Sequence, residues 1–215
     1  MWNWLWQLIG RKAVEPIKEK VMFAIDVSHN NGVIDWVKVP TNEPQVDFAI
    51  LKATEGVNSV DSKLKANVAG CTANGLKWGC YHFTTWGGGA LDAKQQADHF
   101  IQTVQAAGKP GMPMVLDVET NKPLTIKHDL ILSFIKTFLA EVQAAGYDTA
   151  IYASPGFIES YLPNHNLGDK KLWIAHYTTK PHPRTPGWKT YWLWQYTDQG
   201  KVQGINGNVD LNRTP

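Results

Sequence analysis

The sequence predicts an α/β fold, an irregular and flattened (β/α) barrel with eight strands and fewer than eight helices. Three observations carry that prediction. The chain has 215 residues, a length that suits one barrel domain and can bury a sizeable core. From Phe23 onward, short apolar runs rich in β-branched and aromatic residues alternate with longer segments at helical spacing, as in a parallel sheet with crossover helices. Only three of those longer segments read as good helices, so a regular outer ring is not expected.

The strands fall at residues 23–27, 48–53, 76–81, 114–117, 149–152, 172–175, 191–195 and a short piece near Val209. The strongest helix is expected over 125–145. Thr125 can cap its start, Leu130, Ile131, Phe134, Ile135, Phe138 and Val142 make its apolar stripe, and Gly146 ends it. A second covers 91–107, with Ala93, Ala97, Phe100, Ile101 and Val104 inward and Gly108 and Pro110 as stop signals. A third begins at Asp61, carries Leu64, Val68 and Cys71 on one side, and stops near Asn74-Gly75. The stretches after Tyr152 and Ala175 are too rich in Pro, Gly and Asn for long helices.

Composition narrows the function classes. A net charge of +2 without a long basic run lacks the electrostatic footprint of a nucleic-acid binder. Two cysteines, Cys71 and Cys80, are too few for a disulfide scaffold, and no CxxC or His-rich spacing indicates zinc. Both cysteines fall on helix-facing positions, where free thiols are expected, although a bridge is open. Ten tryptophans exceed the needs of a core this size, and aromatic faces suit flat sugar rings.

Residues 1–20 read as an amphipathic extension ahead of a barrel at 21–215. Trp2, Leu5, Trp6, Ile9, Ala13 and Ile17 recur at helical spacing, and Pro16 is positioned to kink the helix. Arg11 and Lys12 follow the apolar run, the wrong order for a secretory signal peptide, and the run is too short to span a bilayer. Packing on the barrel and weak contact with a membrane surface are both open.

The chemistry is expected where the strands end. Asp26, Glu55, Tyr81-His82, Asp117 and Glu119, Tyr152, His176-Tyr177, Gln195-Tyr196 and Asp210 occupy those ends, the face on which β/α barrels build active sites. Polar strand ends also arise simply from meeting solvent, but that does not account for the bias to carboxylates and aromatics. Asp117 and Glu119, two residues apart, project to one side of an extended backbone with Cα atoms roughly 6.5 Å apart. Two acids that close do not both ionise freely, so one becomes a usable proton donor. The longer Glu119 is expected to be the acid and Asp117 to stay ionised. A solvated strand end or a Mg²⁺ site is the alternative reading of Asp-x-Glu alone. Tyr81, Tyr152, Trp194 and Tyr196 are candidates for stacking in a groove, with barrel filling as the alternative for each. His82 and His176 read as satisfied structural histidines.

Ten short motifs in order then mark a family: Asp26-Val27-Ser28, Ile34-Asp35-Trp36, Asp47-Phe48-Ala49, Thr54-Glu55-Gly56, Tyr81-His82-Phe83, Asp117-Val118-Glu119, Ile151-Tyr152, Trp173-Ile174-Ala175-His176-Tyr177, Trp194-Gln195-Tyr196 and Val209-Asp210-Leu211-Asn212. From Phe23 to Asn212 the chain resembles the family 25 glycoside hydrolases, which are lysozymes. The resemblance implies an irregular β/α barrel that cleaves the β-1,4 bond between N-acetylmuramic acid and N-acetylglucosamine in bacterial peptidoglycan. It implies Glu119 as acid/base, Asp117 as its partner, and Asp26 and Asp210 as flanking carboxylates; Glu55 is a separate candidate for binding sugar or holding the site together. Retention of configuration follows, through a covalent carboxylate intermediate or through the substrate's own acetamido group, with Asp117 orienting that group. A monomer with an open groove and no metal or organic cofactor is expected. It would act on the cell wall and, lacking a leader, would reach it by a non-classical or phage route as an endolysin. The competing readings are a catalytically idle wall-binding barrel and a glycosidase of chitin or another amino-sugar polymer.

Overall fold

The computed structural model describes residues 20–39, 45–87 and 90–215. The amphipathic helix expected in the N-terminal extension therefore lies outside the described residues, save for Lys20. In chain order the elements are β1 (Phe23–Val27), a 3-10 turn (His29–Asn31), β2 (Phe48–Glu55), β3 (Ser59–Val60), α1 (Leu64–Ala73), β4 (Lys77–Phe83), α2 (Ala90–Ala107) and β5 (Met114–Asp117). They continue with α3 (His128–Ala144), β6 (Thr149–Ala153), α4 (Pro155–Tyr161), β7 (Lys171–Ala175), β8 (Leu193–Gly200) and β9 (Val209–Arg213).

Eight strands close into a barrel in the order β1-β9-β8-β7-β6-β5-β4-β2, with β2 returning to β1 in parallel. The expected barrel is present, but its sheet is mixed rather than wholly parallel: β9 runs antiparallel to both β8 and β1. The cause is the length of the connection. Residues 201–208 suffice for a hairpin, whereas a parallel crossover needs a dozen residues or more. The two-residue β3 is an addition, folded back on the end of β2.

The helices are close to expectation, with two corrections. α3 starts at His128 with no side-chain cap, so Thr125 does not initiate it, and Leu130 is 49% exposed. Ile131, Phe134, Ile135, Phe138 and Val142 define the buried stripe; Leu130 sits one residue off it, about 100° around the helix. α1 starts at Leu64 rather than Asp61. Asp61 makes the turn before it, its carboxylate accepting from the Lys63 amide at 2.9 Å and from the backbone and ring of His29 at 2.9 and 2.7 Å.

Period-two alternation divides each strand between two layers. Ala24, Phe48, Ile50, Val115, Ala150, Trp173 and Leu193 fill the barrel interior. Their neighbours Ile25, Ala49, Leu51, Leu116, Ile151, Ile174 and Trp194 face outward into the layer shared with the helices. Trp36, from the Ile34-Asp35-Trp36 motif, lies so close to α1 that a Cβ at Gly70 would come 2.0 Å from its Cδ1. Cys71 and Cys80 are free buried thiols in the outer layer, and burial holds the Cys71 thiol up to about 12. Among the described residues no helix is long and apolar enough to cross a membrane.

His82 is the satisfied outer-layer histidine that alternation predicts. Its Nε2 donates to Gln96 Oε1 at 2.9 Å, its Nδ1 accepts from the Thr54 hydroxyl at 2.7 Å, and Phe100 and Phe138 pack on its ring. Burial lowers it from 6.5 to about 4. The folded state thus prefers the neutral ring, so this contribution is complete above pH 6.5 and is lost as pH falls toward 4, amounting to about 3 kcal/mol. In urea titrations, the stability difference between wild type and His82→Gln should shrink by about that amount between pH 7 and pH 4. A difference independent of pH would contradict it.

Candidate active site

At the mouth of the barrel the inward positions turn from apolar to polar. Asp26 follows Ala24 on β1, Lys52 follows Phe48 and Ile50 on β2, Asp117 follows Val115 on β5, Tyr152 follows Ala150 on β6 and Gln195 follows Leu193 on β8. Because β9 runs the other way, its first residues reach the same end, and Asp210 stands directly opposite Asp26. Asp26, Asp117, Glu119 and Asp210 therefore share one electrostatic site, each sensing at least one of the others.

The segment bearing the central pair is pinned residue by residue. The Asp117 carbonyl accepts from the Thr84 amide at 3.1 Å, the Val118 amide donates to the Tyr152 carbonyl at 2.9 Å, and the Trp86 indole donates to the Glu119 carbonyl at 2.9 Å. Val118 is buried in the outer layer, so alternation returns Glu119 to the inner side although the strand ends at Asp117. Glu119 then meets two open cavities. One, of about 410 Å³, includes Thr120, Asn121, Lys122 and Tyr161; the other, of about 430 Å³, includes Tyr152, His176, Tyr177 and Arg184. The acid stands where they meet, in the middle of an extended groove.

A buried network fixes Asp26. Its Oδ2 accepts from Gln195 Nε2 at 2.9 Å and Asn212 Nδ2 at 2.8 Å. Asn212 is oriented in turn by the Trp173 indole, 2.7 Å from its Oδ1. Gln195 Oε1 accepts the hydroxyls of Tyr152 at 2.9 Å and Tyr177 at 2.8 Å. Asp26 and Asp210 face one another across the β1–β9 pairing, and the charge of Asp210 adds to burial in raising Asp26, so the two do not ionise independently.

Burial dominates the protonation of all four acids. Asp26 is raised by desolvation and then by the charge of Asp210. Asp210 is raised, chiefly by desolvation. Glu119 is raised by desolvation, against the opposing charge of Lys52. Asp117 is raised well above the ordinary range by desolvation and then by Glu119, and its Oδ1 has no hydrogen-bond partner among the described residues. The expectation that only Glu119 would be pushed up, with Asp117 freely ionised, is thus corrected: the more deeply buried Asp117 is raised as well. Among the described residues no group of three or more His, Cys, Asp or Glu side chains is placed to hold a metal ion.

The expected aromatic residues divide. Tyr81 and Tyr152 pack edge-on against Trp173 inside the barrel, with ring centroids 6.4 and 4.6 Å away. Trp194 does not line the groove: it is 2% exposed, faces the outer layer, donates its indole N–H to the His176 carbonyl at 2.8 Å, and lies under Arg213 at 4.4 Å. Tyr196 packs with it at 6.1 Å and also lies under Arg213. The alternation that turns Gln195 inward turns both flanking rings outward. Glu55, at the end of β2, pairs with Lys52 at 2.8 Å. Sequence reasoning missed Lys52 altogether, and it missed Trp86 and the parts played by Gln195 and Asn212. The alternating burial of Phe48-Ala49-Ile50-Leu51-Lys52 was the available signal for the lysine.

Raised folded values mean that these acids, when ionised, oppose folding; the cost is present at neutral pH and is relieved as pH falls through the raised values toward 3.8. Asp117→Asn should therefore raise the thermal midpoint at pH 7.5 by roughly 2 °C or more, with the gain shrinking toward pH 4. A lower midpoint at pH 7.5 would contradict this balance.

The surrounding chain has relatives of known type. Residues 25–205 match the model of the Glycosyl hydrolases family 25. Lysozyme M1 of Streptomyces globisporus is 28% identical over 94% of this chain and 70% of its own length. The solved spore cortex lytic enzyme SleM of Clostridium perfringens superposes with a TM-score of 0.82 at 28% identity, over 91% of this chain and 67% of that one. The bacterial lysozyme of Streptomyces coelicolor gives 0.79 at 27%, over 92% and 93%. A match across most of the barrel, from β1 past the carboxylate pair to the connection before β9, places the chain in glycosyl hydrolase family 25.

Proposed function

We infer that the chain is a muramidase, hydrolysing the β-1,4 bond between N-acetylmuramic acid and N-acetylglucosamine in bacterial peptidoglycan. The observation that carries the reading is the position of Glu119: a partly open acid, raised by burial, at the junction of two halves of a groove, beside a deeply buried Asp117 with an unpaired oxygen. An open groove suits a polymer that enters from both sides.

In this reading Glu119 gives its proton to the glycosidic oxygen as the bond to C1 of muramic acid breaks. The positive charge developing at the ring is stabilised by the surrounding carboxylates. The acetamido carbonyl oxygen bonds to C1 from the opposite face, and Asp117 Oδ1, buried without a donor, accepts the acetamido N–H. Water then adds at C1 and gives a proton to Glu119, restoring the acid, while the C1 bond to the acetamido oxygen breaks, with configuration retained. Asp26 and Asp210, paired across β1 and β9 and both raised by burial, hold the charge of the far side of the site.

Glu119→Gln should keep the fold and its affinity for walls while lowering kcat by roughly 100- to 10,000-fold, the range for loss of a general acid. Release of reducing ends from purified peptidoglycan measures it. A variant with the wild-type rate removes Glu119 from the chemistry.

A further inference from the structure

Two strands from the carboxylate pair, a lysine stands on the inward side of the barrel. Lys52 follows Phe48 and Ile50 along β2, and its side chain is 14% exposed. Its Nζ lies 2.8 Å from Glu55 Oε2 and 4.9 Å from the centre of the Phe83 ring. Withdrawing an ammonium from water is costly even when it is paired, and pairing with a Glu55 that is 40% exposed would be achieved as well at the surface. What the inward position adds is proximity to charge. Phe83, over whose ring the ammonium sits, pairs directly with Asp117 across β4 and β5, and from there the positive charge opposes protonation of both Asp117 and Glu119. The other groups facing that pair are mainly acids and phenols: Asp26 from β1, Glu55 from β2, Tyr81 from β4, Tyr152 from β6, Tyr177 after β7 and Asp210 from β9. His176 and Arg184 lie across the second cavity, with Arg184 paired to Glu159 at 2.6 Å.

We propose that Lys52 is a positioning residue of this site: anchored by Glu55 and the face of Phe83, its ammonium keeps one of Asp117 and Glu119 ionised while the other holds the proton that the reaction transfers. Glu55 then serves as the anchor of that cation rather than as a sugar ligand. The inference deepens the muramidase reading and rests on it for its catalytic consequence. The charge relation between Lys52 and the two acids can be tested separately.

Lys52→Met keeps the alkyl stem against Phe83 and removes the charge, and Lys52→Gln keeps a polar group against Glu55. In carbon-13 titrations of the side-chain carboxyls, both variants should move Asp117 and Glu119 upward by roughly one pH unit. Both limbs of the kcat/KM profile on purified peptidoglycan should move up with them. Lys52→Arg, which keeps the charge, should return the titrations toward wild type. Thermal midpoints confirm folding, and Lys52→Gln carries the test if Lys52→Met does not fold. Unmoved titrations in a folded variant overturn the proposal, as does a rate that falls equally at every pH with both limbs in place. Wild-type protein that releases no reducing ends at any pH defeats the muramidase reading instead, and the titrations still decide the role of Lys52.

Discussion

Closure of the sheet through β1 is the constraint on which the site depends. β1 pairs with β2 on one side and β9 on the other, and once the ring is closed every second side chain of every strand must point into it. The lower part of the interior is filled by Phe48, Trp173 and small or branched residues. That packing leaves the next inward positions at the mouth, where Asp26, Lys52, Asp117, Tyr152 and Gln195 converge from five strands. The antiparallel course of β9 brings Asp210 and Asn212 to the same place, so the departure from a regular β/α barrel is also what completes the carboxylate set.

Convergence of this kind is expensive. Four acids share a site from which water is largely withdrawn, and each is raised chiefly by desolvation. The protein offsets part of the cost with neutral donors. Gln195 and Asn212 hold Asp26, and they are themselves oriented by Tyr152, Tyr177 and Trp173. Asp117 is treated differently: among the described residues one of its oxygens has no donor, and in the muramidase reading the acetamido N–H of the substrate is what it accepts. A buried acceptor left unpaired costs about 1–3 kcal/mol, and at a functional site such a cost is one that binding can recover. Lys52 works by charge instead, from beneath the rim.

Much of this was legible in the sequence because it follows from period-two spacing. Eight strand positions, the outward thiol of Cys80, the outward His82 and the paired approach of Asp117 and Glu119 all come from counting residues along a strand, and the buried thiol of Cys71 comes from helical spacing along α1. The same count, carried two residues further, would have turned Trp194 and Tyr196 away from the groove and Lys52 toward the carboxylates. The helix limits were less legible, since Thr125 has the chemistry of a cap but Lys127 occupies the capping position without a side-chain bond. The direction of β9 depends on connection length rather than on any motif. The depth of Asp117, which decides its protonation, is a property of the closed barrel and has no local signature.

The barrel, the pinned Asp117-Val118-Glu119 segment and the open groove converge on one bond in one polymer, and the sugar exposed by cleavage identifies that bond. Purified peptidoglycan digested with the wild-type protein, reduced with borohydride and analysed by mass spectrometry should yield fragments that end in reduced muramic acid. Fragments ending in reduced glucosamine, or a wall that is bound without any new reducing end, would contradict the account.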